Sequence, residues 1–307
     1  MFRKTKTKTK ISSMDTRKLL NQLEINIKKT VQTKLIGRYK SIFRGTGLEF
    51  DSFRDYTPED DYFKIDWKIS QRANKLLVRQ YIEERKIKVY FIVNTSNSML
   101  FGSSVKLKNE YAADIISLLA YVSVASNDMV GFAFFNEEIT KFVKPLTGDK
   151  QFFILLNELT NGKNYGGGCK FKETLDYLFH LIEERSVVIV VSDFIGVSKD
   201  IDKIAKLYGK KFDTIFIMVR DKRDETLACD IKQIVLQDPY SNKTLLVDPN
   251  LINKRYEAYV KKEEENLKDL LTKSDIDFVK INTDKPFLPL VMGLFKKREL
   301  QRKEILA

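Results

Sequence analysis

From residue 87 to residue 300 the chain alternates between short apolar runs and longer stretches with an apolar residue at every third or fourth position. Short runs rich in Val, Ile and Phe are typical of strands buried on both faces, whereas the longer spacing is typical of helices. The predicted strands cover residues 88–93, 129–135, 138–143, 186–194, 213–220 and 277–281, with two short ones within 232–248. The predicted helices cover residues 105–126, 150–160, 171–184, 199–211, 252–273 and 287–300. This alternation predicts an α/β fold with a mostly parallel sheet flanked by helices.

The first 86 residues follow a different pattern. Residues 1–13 include a run of alternating Lys and Thr with no apolar face, which predicts a disordered basic tail. Apolar residues then recur at helical spacing from residue 14 to residue 35, and glycines, charges and aromatics follow up to residue 86. We therefore predict an N-terminal helical and irregular segment over 14–86, packed on an α/β domain over 87–300. A short tail over 301–307 completes the division.

Glycine near the end of a helical pattern usually marks the point where the helix stops. Gly209 lies near the end of the predicted helix 199–211. Because glycine adopts the left-handed backbone conformation that closes many helices, we interpret Gly209 as a C-terminal stop.

Composition narrows the classes of function. The net charge is +12, and residues 1–86 hold 21 Lys and Arg against 11 Asp and Glu, so most of the excess lies in the N-terminal part. Such a region could meet nucleic acid, an acidic partner or anionic lipid. One histidine and two cysteines leave little material for a zinc site or a histidine-based triad. No apolar run approaches the length of a membrane span or a secretory signal, so we expect a cytoplasmic protein.

Polar loops follow two of the predicted buried strands, and a third precedes a helix. These loops are Asn94 to Ser98, the glycine-rich stretch 166–169 and Ser192-Asp193-Phe194. In open α/β sheets, ligands bind where the strands end at their carboxyl edge. We therefore expect the three loops to converge there.

These loops resemble the metal-ion-dependent adhesion site of von Willebrand factor A-type domains. In that family Asp-x-Ser-x-Ser, a Thr from a second loop and an Asp from a third surround Mg²⁺. The matching positions here are Asn94, Ser96, Ser98, Cys169 and Asp193. Asn94 lacks the carboxylate charge and Cys169 offers sulfur, which suits soft metals better than Mg²⁺. We interpret the site as degenerate, with Mg²⁺ as the candidate ion; in the alternative, Ser96, Ser98 and Asp193 only hold the loops by hydrogen bonds.

Upstream of this domain the chain contains a denser motif. It reads GRYKSIFRGTGLEF from residue 37, RDYTPEDD from residue 54 and KIDWK from residue 64. This resembles the signature of the bacterial family known as domain of unknown function 58, in which a von Willebrand A-type domain follows the signature. The matching residues are Gly37, Ser41, Gly45, Gly47, Glu49, Phe50, Arg54, Tyr56, Pro58, Asp60, Asp61, Ile65, Asp66, Trp67, Arg72 and Glu83.

The side chains of this signature suggest two roles, which stay open at this point. Trp67 is the only tryptophan, and we expect it to anchor the segment to the sheet. Paired charges either fix a loop or meet a partner. The charges expected to form a network are Arg54, Asp60, Asp61, Asp66 and Arg72. The segment is thus predicted to be an internal clamp, a partner contact or both.

The family resemblance implies an association with MoxR-type AAA+ ATPases, in which such proteins act as adaptors for complex assembly or cofactor insertion. We therefore expect a non-catalytic interaction protein that works with a MoxR-type ATPase and a client protein through its degenerate metal-ion-dependent adhesion site, with no bound cofactor. The alternative is a nucleic-acid-binding protein that uses the basic N-terminal region. No helix-turn-helix, zinc knuckle or RNP motif favours this alternative.

Overall fold

The structure is a computed structural model that describes residues 33–43, 49–82, 86–197, 201–229, 232–241 and 243–306. The predictions for residues 1–32, Gly45 and Gly47 lie outside these ranges. Within them the strands are β1 (Glu49–Asp55), β2 (Leu77–Ile82), β3 (Lys88–Asn94), β4 (Met129–Phe135), β5 (Ile139–Leu146), β6 (Val187–Ser192), β7 (Asp213–Arg220), β8 (Ile234–Gln237), β9 (Thr244–Val247) and β10 (Asp277–Asn282). The helices are α1 (Thr33–Phe43), α2 (Trp67–Ala73), α3 (Lys108–Ala125), α4 (Asp149–Thr160), α5 (Phe171–Leu181), α6 (Ile201–Lys211), α7 (Lys222–Glu225), α8 (Pro249–Lys273) and α9 (Leu288–Leu306).

Six strands form the central sheet, in the order β10-β7-β6-β3-β4-β5. All neighbours are parallel except β5, which pairs antiparallel with β4 at one edge. The tight connection between β4 and β5 explains this exception, because a short hairpin can only join antiparallel strands. The predicted fold class, a mostly parallel sheet flanked by helices, is confirmed.

Both faces of this sheet are buried. In β3, Phe91 and Val93 pack on the face covered by α1, α3, α4 and α9, whereas Tyr90 and Ile92 pack on the opposite face under α5, α6 and α8. Alternate side chains of a strand point to opposite faces. A strand buried on both sides must therefore be apolar throughout, which is the pattern from which these strands were predicted.

The N-terminal segment has two described parts. Helix α1 belongs to the main core, where the ring of Tyr39 lies 4.7 Å from that of Phe43 and 6.3 Å from that of Phe295 in α9. Strands β1 and β2 pair antiparallel, and α2 lies in the connection between them. The backbone N–H of Tyr56 donates to the carbonyl of Leu76, which ties the two strands at this end.

The predicted role of Gly209 as a helix stop is wrong. Helix α6 continues through this residue to Lys211. A Cβ atom at Gly209 would lie 1.7 Å from the carbonyl oxygen of Ser274, after α8. Glycine is therefore needed for close packing of two backbones, not for a change of backbone direction. The last helix also runs on to Leu306, beyond its predicted end at residue 300.

Candidate functional site at the carboxyl edge of the sheet

The neighbouring parallel strands β3, β6 and β7 end side by side, and their polar loops form one buried cluster. The amide of Asn94 donates from Nδ2 to Oγ of Ser192 over 2.9 Å, which joins the end of β3 to the end of β6. The same Asn94 accepts the backbone N–H of Ser96 at its Oδ1, also over 2.9 Å. Because a side-chain amide can donate and accept at once, Asn94 links the loop after β3 to the end of β6.

The glycine-rich loop joins this cluster through its backbone. The N–H of Asn97 donates to the carbonyl of Gly167 over 3.0 Å, and the N–H of Gly166 donates to the carbonyl of Thr95 over 2.8 Å. Gly166 and Gly167 both have positive φ angles, 141° and 77°, which residues other than glycine rarely adopt. The three loops singled out in the sequence therefore come together at one edge.

The two serine hydroxyls of this edge are engaged inside the protein. Ser96 Oγ and Ser98 Oγ lie 3.2 Å apart, and the hydroxyl of Tyr240 donates to Ser98 Oγ over 3.0 Å. Tyr240 lies at the tip of the β8–β9 hairpin, where the amide of Asn97 also reaches the carbonyl of Pro239 over 3.2 Å. The hairpin tip thus covers the serines.

Asp193 faces a buried lysine. The ammonium of Lys108, the first residue of α3, lies 2.8 Å from Oδ2 of Asp193 and 2.9 Å from Oδ2 of Asp224. The side chains of Lys108 and Asp193 are only 1% and 0% exposed. The other oxygen of Asp193 accepts the backbone N–H of Ile195 over 3.3 Å. Asp193 is thus held by one ion pair and one backbone hydrogen bond.

A third aspartate extends this network beyond β7. Asp221 accepts two hydrogen bonds from Ser103, at 2.8 Å from the backbone N–H and 2.5 Å from the hydroxyl, and one from the hydroxyl of Thr283 at 3.0 Å. Its own N–H donates to Asp224 over 3.0 Å. Burial opposes ionisation, but the hydrogen bonds from Ser103, the N–H of Arg223 and Thr283 outweigh it and lower the pKa of Asp221.

The cysteine of the cluster is protected from ionisation. Burial raises the pKa of the Cys169 thiol to about 12, and the negative charge of Asp193 adds to the effect. Burial also raises the pKa of the Tyr240 hydroxyl to about 12, again with a contribution from Asp193. Both groups are therefore neutral donors or acceptors near neutral pH.

These residues do not fit the Mg²⁺ that the family resemblance suggests as a candidate. A thiol of such high pKa is a poor partner for a hard cation, and Asn94 already uses its oxygen on Ser96. The one carboxylate among the predicted ligands, Asp193, bonds to an ammonium. Within the described ranges, no group of three or more His, Cys, Asp or Glu residues is arranged to hold a metal ion.

The five charged residues predicted to form one network instead make local caps and, among the described contacts, one exposed ion pair; a second exposed pair in the segment joins Lys75 to Asp55. Arg54 bonds to both carboxylate oxygens of Asp60, at 2.5 and 2.6 Å, and this pairing lowers the pKa of Asp60. Asp61 accepts the N–H of Phe63, and Asp66 caps α2 by accepting the N–H groups of Lys68 and Ile69. The described ion pairs do not include Arg72, which is exposed.

The prediction that Trp67 anchors the segment to the sheet is wrong. Its side chain is 65% exposed, next to Tyr62 and Phe63, which are 60% and 78% exposed. Val78 and Ile65 fill the small interior of this unit instead. Tyr56 is half-buried, Glu49 lies on β1, and Gly45 and Gly47 lie outside the described residues.

Sequence reasoning missed three residues of the edge, Lys108, Asp224 and Tyr240. A signal for the first was present, because Lys108 lies four residues before Ala112 and seven before Ile115, on the apolar face of α3. A lysine on a buried helix face needs a carboxylate partner. Asp224 lies in the short helix α7, where its spacing from Asp221 indicates only a capping box, and Tyr240 lies at a hairpin tip; neither position indicates a contact with this edge.

The fold and the site together define a protein with an α/β domain whose carboxyl edge is closed by internal bonds. A family model described as "Protein of unknown function DUF58" matches residues 52–266, more than half of the chain. The chain belongs to this family, as its signature predicted.

Curated relatives and solved structures extend these findings. Uncharacterized proteins of Mycobacterium bovis and Mycobacterium tuberculosis are 25% identical over 236 residues, which is 76% of this chain and 74% of theirs. The chain is also similar to a conserved hypothetical protein, BatB, of Bacteroides thetaiotaomicron, with 16% identity, a TM-score of 0.46 and coverage of 69% of this chain and 98% of that one. An aerotolerance-related membrane protein of Bacteroides fragilis is 15% identical, with a TM-score of 0.47 and coverage of 69% of this chain and 99% of that one. A von Willebrand factor type A protein of Catenulispora acidiphila is 10% identical, with a TM-score of 0.39 and coverage of 73% of this chain and 43% of that one. Among the helices described here, none is long and apolar enough to cross a bilayer.

Proposed function

We propose that this protein is a non-catalytic adaptor that works with a MoxR-type AAA+ ATPase in the assembly or maturation of a client protein complex. The chain belongs to the DUF58 family, and its resemblance to that family is what implies such a partnership. The proposal assigns the ATPase contact to the signature segment and leaves the α/β domain as the scaffold that presents it.

The observation that carries this proposal is the exposed aromatic group Tyr62, Phe63 and Trp67. The first two rings lie in contact at a tilt of 34°, with centroids 4.1 Å apart, and all three side chains are more than half exposed. Solvent-exposed aromatic clusters are unfavourable in water and are enriched where proteins bind one another. Their position within the family signature, beside the Arg54–Asp60 ion pair, favours a partner contact over an internal clamp.

The hydrogen bonds and ion pairs of the polar side chains at the carboxyl edge support a non-catalytic role. A serine nucleophile needs a base within hydrogen-bond reach. Ser98 instead accepts from a tyrosine hydroxyl, and Asp193 is paired with Lys108. Both groups therefore serve the stability of the loops.

Co-purification tests the proposal. The tagged protein is used to retrieve a MoxR-type ATPase from an extract of cells that express both, with ATP present. We expect the triple variant Tyr62→Ala, Phe63→Ala, Trp67→Ala to lose retrieval at least tenfold, as expected when exposed aromatic anchors are removed from an interface. The double variant Tyr177→Ala, Tyr259→Ala removes similarly exposed tyrosines from α5 and α8, and it should retain binding.

Retention on heparin distinguishes the nucleic-acid-binding alternative. Phosphate binding weakens steeply with salt, so salt-dependent retention on heparin and DNA with no ATPase retrieved would overturn the adaptor proposal. Equal retrieval by wild type and the aromatic triple variant would leave the adaptor role but refute the assigned contact surface.

A further inference from the structure

We infer that the ammonium of Lys108 is the resident cation of the carboxyl edge and replaces a metal ion there. The observation is geometric: one buried nitrogen lies between the carboxylates of Asp193 and Asp224, within 2.9 Å of each. Two carboxylates converging on a single cation is the arrangement by which proteins also hold divalent ions. The inference does not depend on the adaptor role proposed above.

The two contacts of the ammonium have the lengths of charge-assisted hydrogen bonds. Such N–H···O bonds measure about 2.7–2.9 Å, whereas oxygen lies about 2.0–2.1 Å from Mg²⁺ and about 2.3–2.6 Å from Ca²⁺. The distances of 2.8 and 2.9 Å from Lys108 Nζ show that both carboxylates accept a full hydrogen bond from it. A Mg²⁺ ion at the same point would require both carboxylates to move inward by about 0.8 Å.

The position of Lys108 has no explanation within its own helix. A cation in the first turn of a helix is disfavoured by the macrodipole, and Lys108 is the first residue of α3. Burial of a lone ammonium would also be strongly unfavourable. Two buried carboxylates without a cation would be equally unfavourable. Each charge is therefore tolerated because the others are present.

Surrounding groups hold this lysine in place. Its backbone N–H donates to the carbonyl of Phe101 over 3.0 Å, and the ring of Phe101 lies 5.6 Å from its ammonium. The Asp224 oxygen that it contacts also accepts the N–H of Asp221. The cation is thus a fixed part of the fold, and no exchangeable ion is needed at this edge.

Metal titration of a lysine variant tests the inference. Wild type, Lys108→Ala and Lys108→Ala/Asp193→Asn are unfolded by heat with and without Mn²⁺ or Ca²⁺. We expect no response in wild type and a clear loss of Tm in Lys108→Ala. Added metal should then raise the Tm of Lys108→Ala by about 5–10 °C at a concentration of one hundred times Kd. The Asp193→Asn change should abolish this rise. Lys106→Ala removes an ammonium that pairs with Asp114 nearby and should give neither effect.

Two outcomes would overturn the inference. The first is that wild type binds Mn²⁺ and loses this binding when Asp193 is changed to Asn. The second is that Lys108→Ala folds but its Tm does not change when Mn²⁺ or Ca²⁺ is added. If Lys108→Ala does not fold even with metal, Lys108→Met is compared with Lys108→Met/Asp193→Asn/Asp224→Asn. Removal of the uncompensated charges should restore folding, and a triple variant no more stable than Lys108→Met would refute the role of Lys108 as counter-ion.

Discussion

Tyr240 and Ser98 are 142 residues apart in the chain, yet the hydroxyl of the tyrosine bonds to that of the serine over 3.0 Å. This bond joins the β8–β9 hairpin to the carboxyl edge. The hairpin strands themselves expose Val235, Leu245 and Leu246 to solvent. The tip is therefore its main attachment to the loops after β3.

Tyr240→Phe should loosen this attachment without removing the ring. Loss of one partly buried hydrogen bond costs about 1 kcal/mol, so we expect faster backbone hydrogen exchange over 234–247 while global stability changes little. Mass spectrometry of exchanged peptides measures this effect. Tyr259→Phe, at an exposed tyrosine of α8, is the matched control. Unchanged exchange in the hairpin would show that the hydroxyl bond does not hold it.

Cys169 should react slowly with alkylating reagents in the folded protein. With a pKa of about 12, about one thiol in ten thousand is ionised at pH 8, and the thiolate is the reactive form. In a Cys229→Ser background, we expect the rate of iodoacetamide labelling to rise about tenfold per pH unit through pH 10. The urea-unfolded chain serves as control and should level off near the ordinary thiol pKa of about 8.5. A plateau near pH 9 in the folded protein would contradict the prediction.

Two helical glycines should respond to alanine in opposite directions. Gly209→Ala places a methyl group against the Ser274 carbonyl, and the resulting overlap should cost about 2–3 kcal/mol of the free energy of unfolding. Gly293→Ala, in α9, meets no atom within 4 Å and should gain about 0.5–1 kcal/mol from helix propensity. Urea denaturation of both variants measures the difference. A neutral Gly209→Ala would mean that α6 and the turn at Ser274 can separate at no cost.

The fold was predictable because its signals are local. A strand such as β6, apolar at nearly every position, has few environments other than the middle of a covered sheet. The convergence of the three loops followed from the same argument, since parallel strands end at one edge. Gly209 shows the limit of such reasoning, because a glycine in sequence does not reveal whether it turns the chain or admits a neighbour.

The chemistry of the edge was less predictable because its partners come from elsewhere. Asp193 was singled out as a metal ligand, but its cation is supplied by α3 and shared with Asp224 after β7. Tyr240 reaches the serines from a hairpin tip. Trp67 was misplaced for a different reason: large aromatic residues are usually buried, and only the structure shows that this one is not.

Asp221 should make the stability of the protein depend on pH. Its pKa is lowered in the folded state, so its contribution is fully present above the unfolded-state value of about 3.9 and is lost as the pH falls through the folded-state value. Asp221→Asn weakens the bonds from Ser103 and Thr283, and we expect a loss of about 2 kcal/mol at pH 7. The gap between wild type and variant should then shrink below pH 4.

Urea unfolding at several pH values between 3 and 7 measures this gap, and the difference between the two proteins removes the titration of all other carboxylates. Asp60→Asn is the control, because the pKa of Asp60 is also lowered but its ion pair with Arg54 is exposed and screened by solvent. Its pH-dependent loss should be much smaller. A gap for Asp221→Asn that stays constant down to pH 3 would show that the hydrogen bonds at this buried aspartate do not favour its charged form.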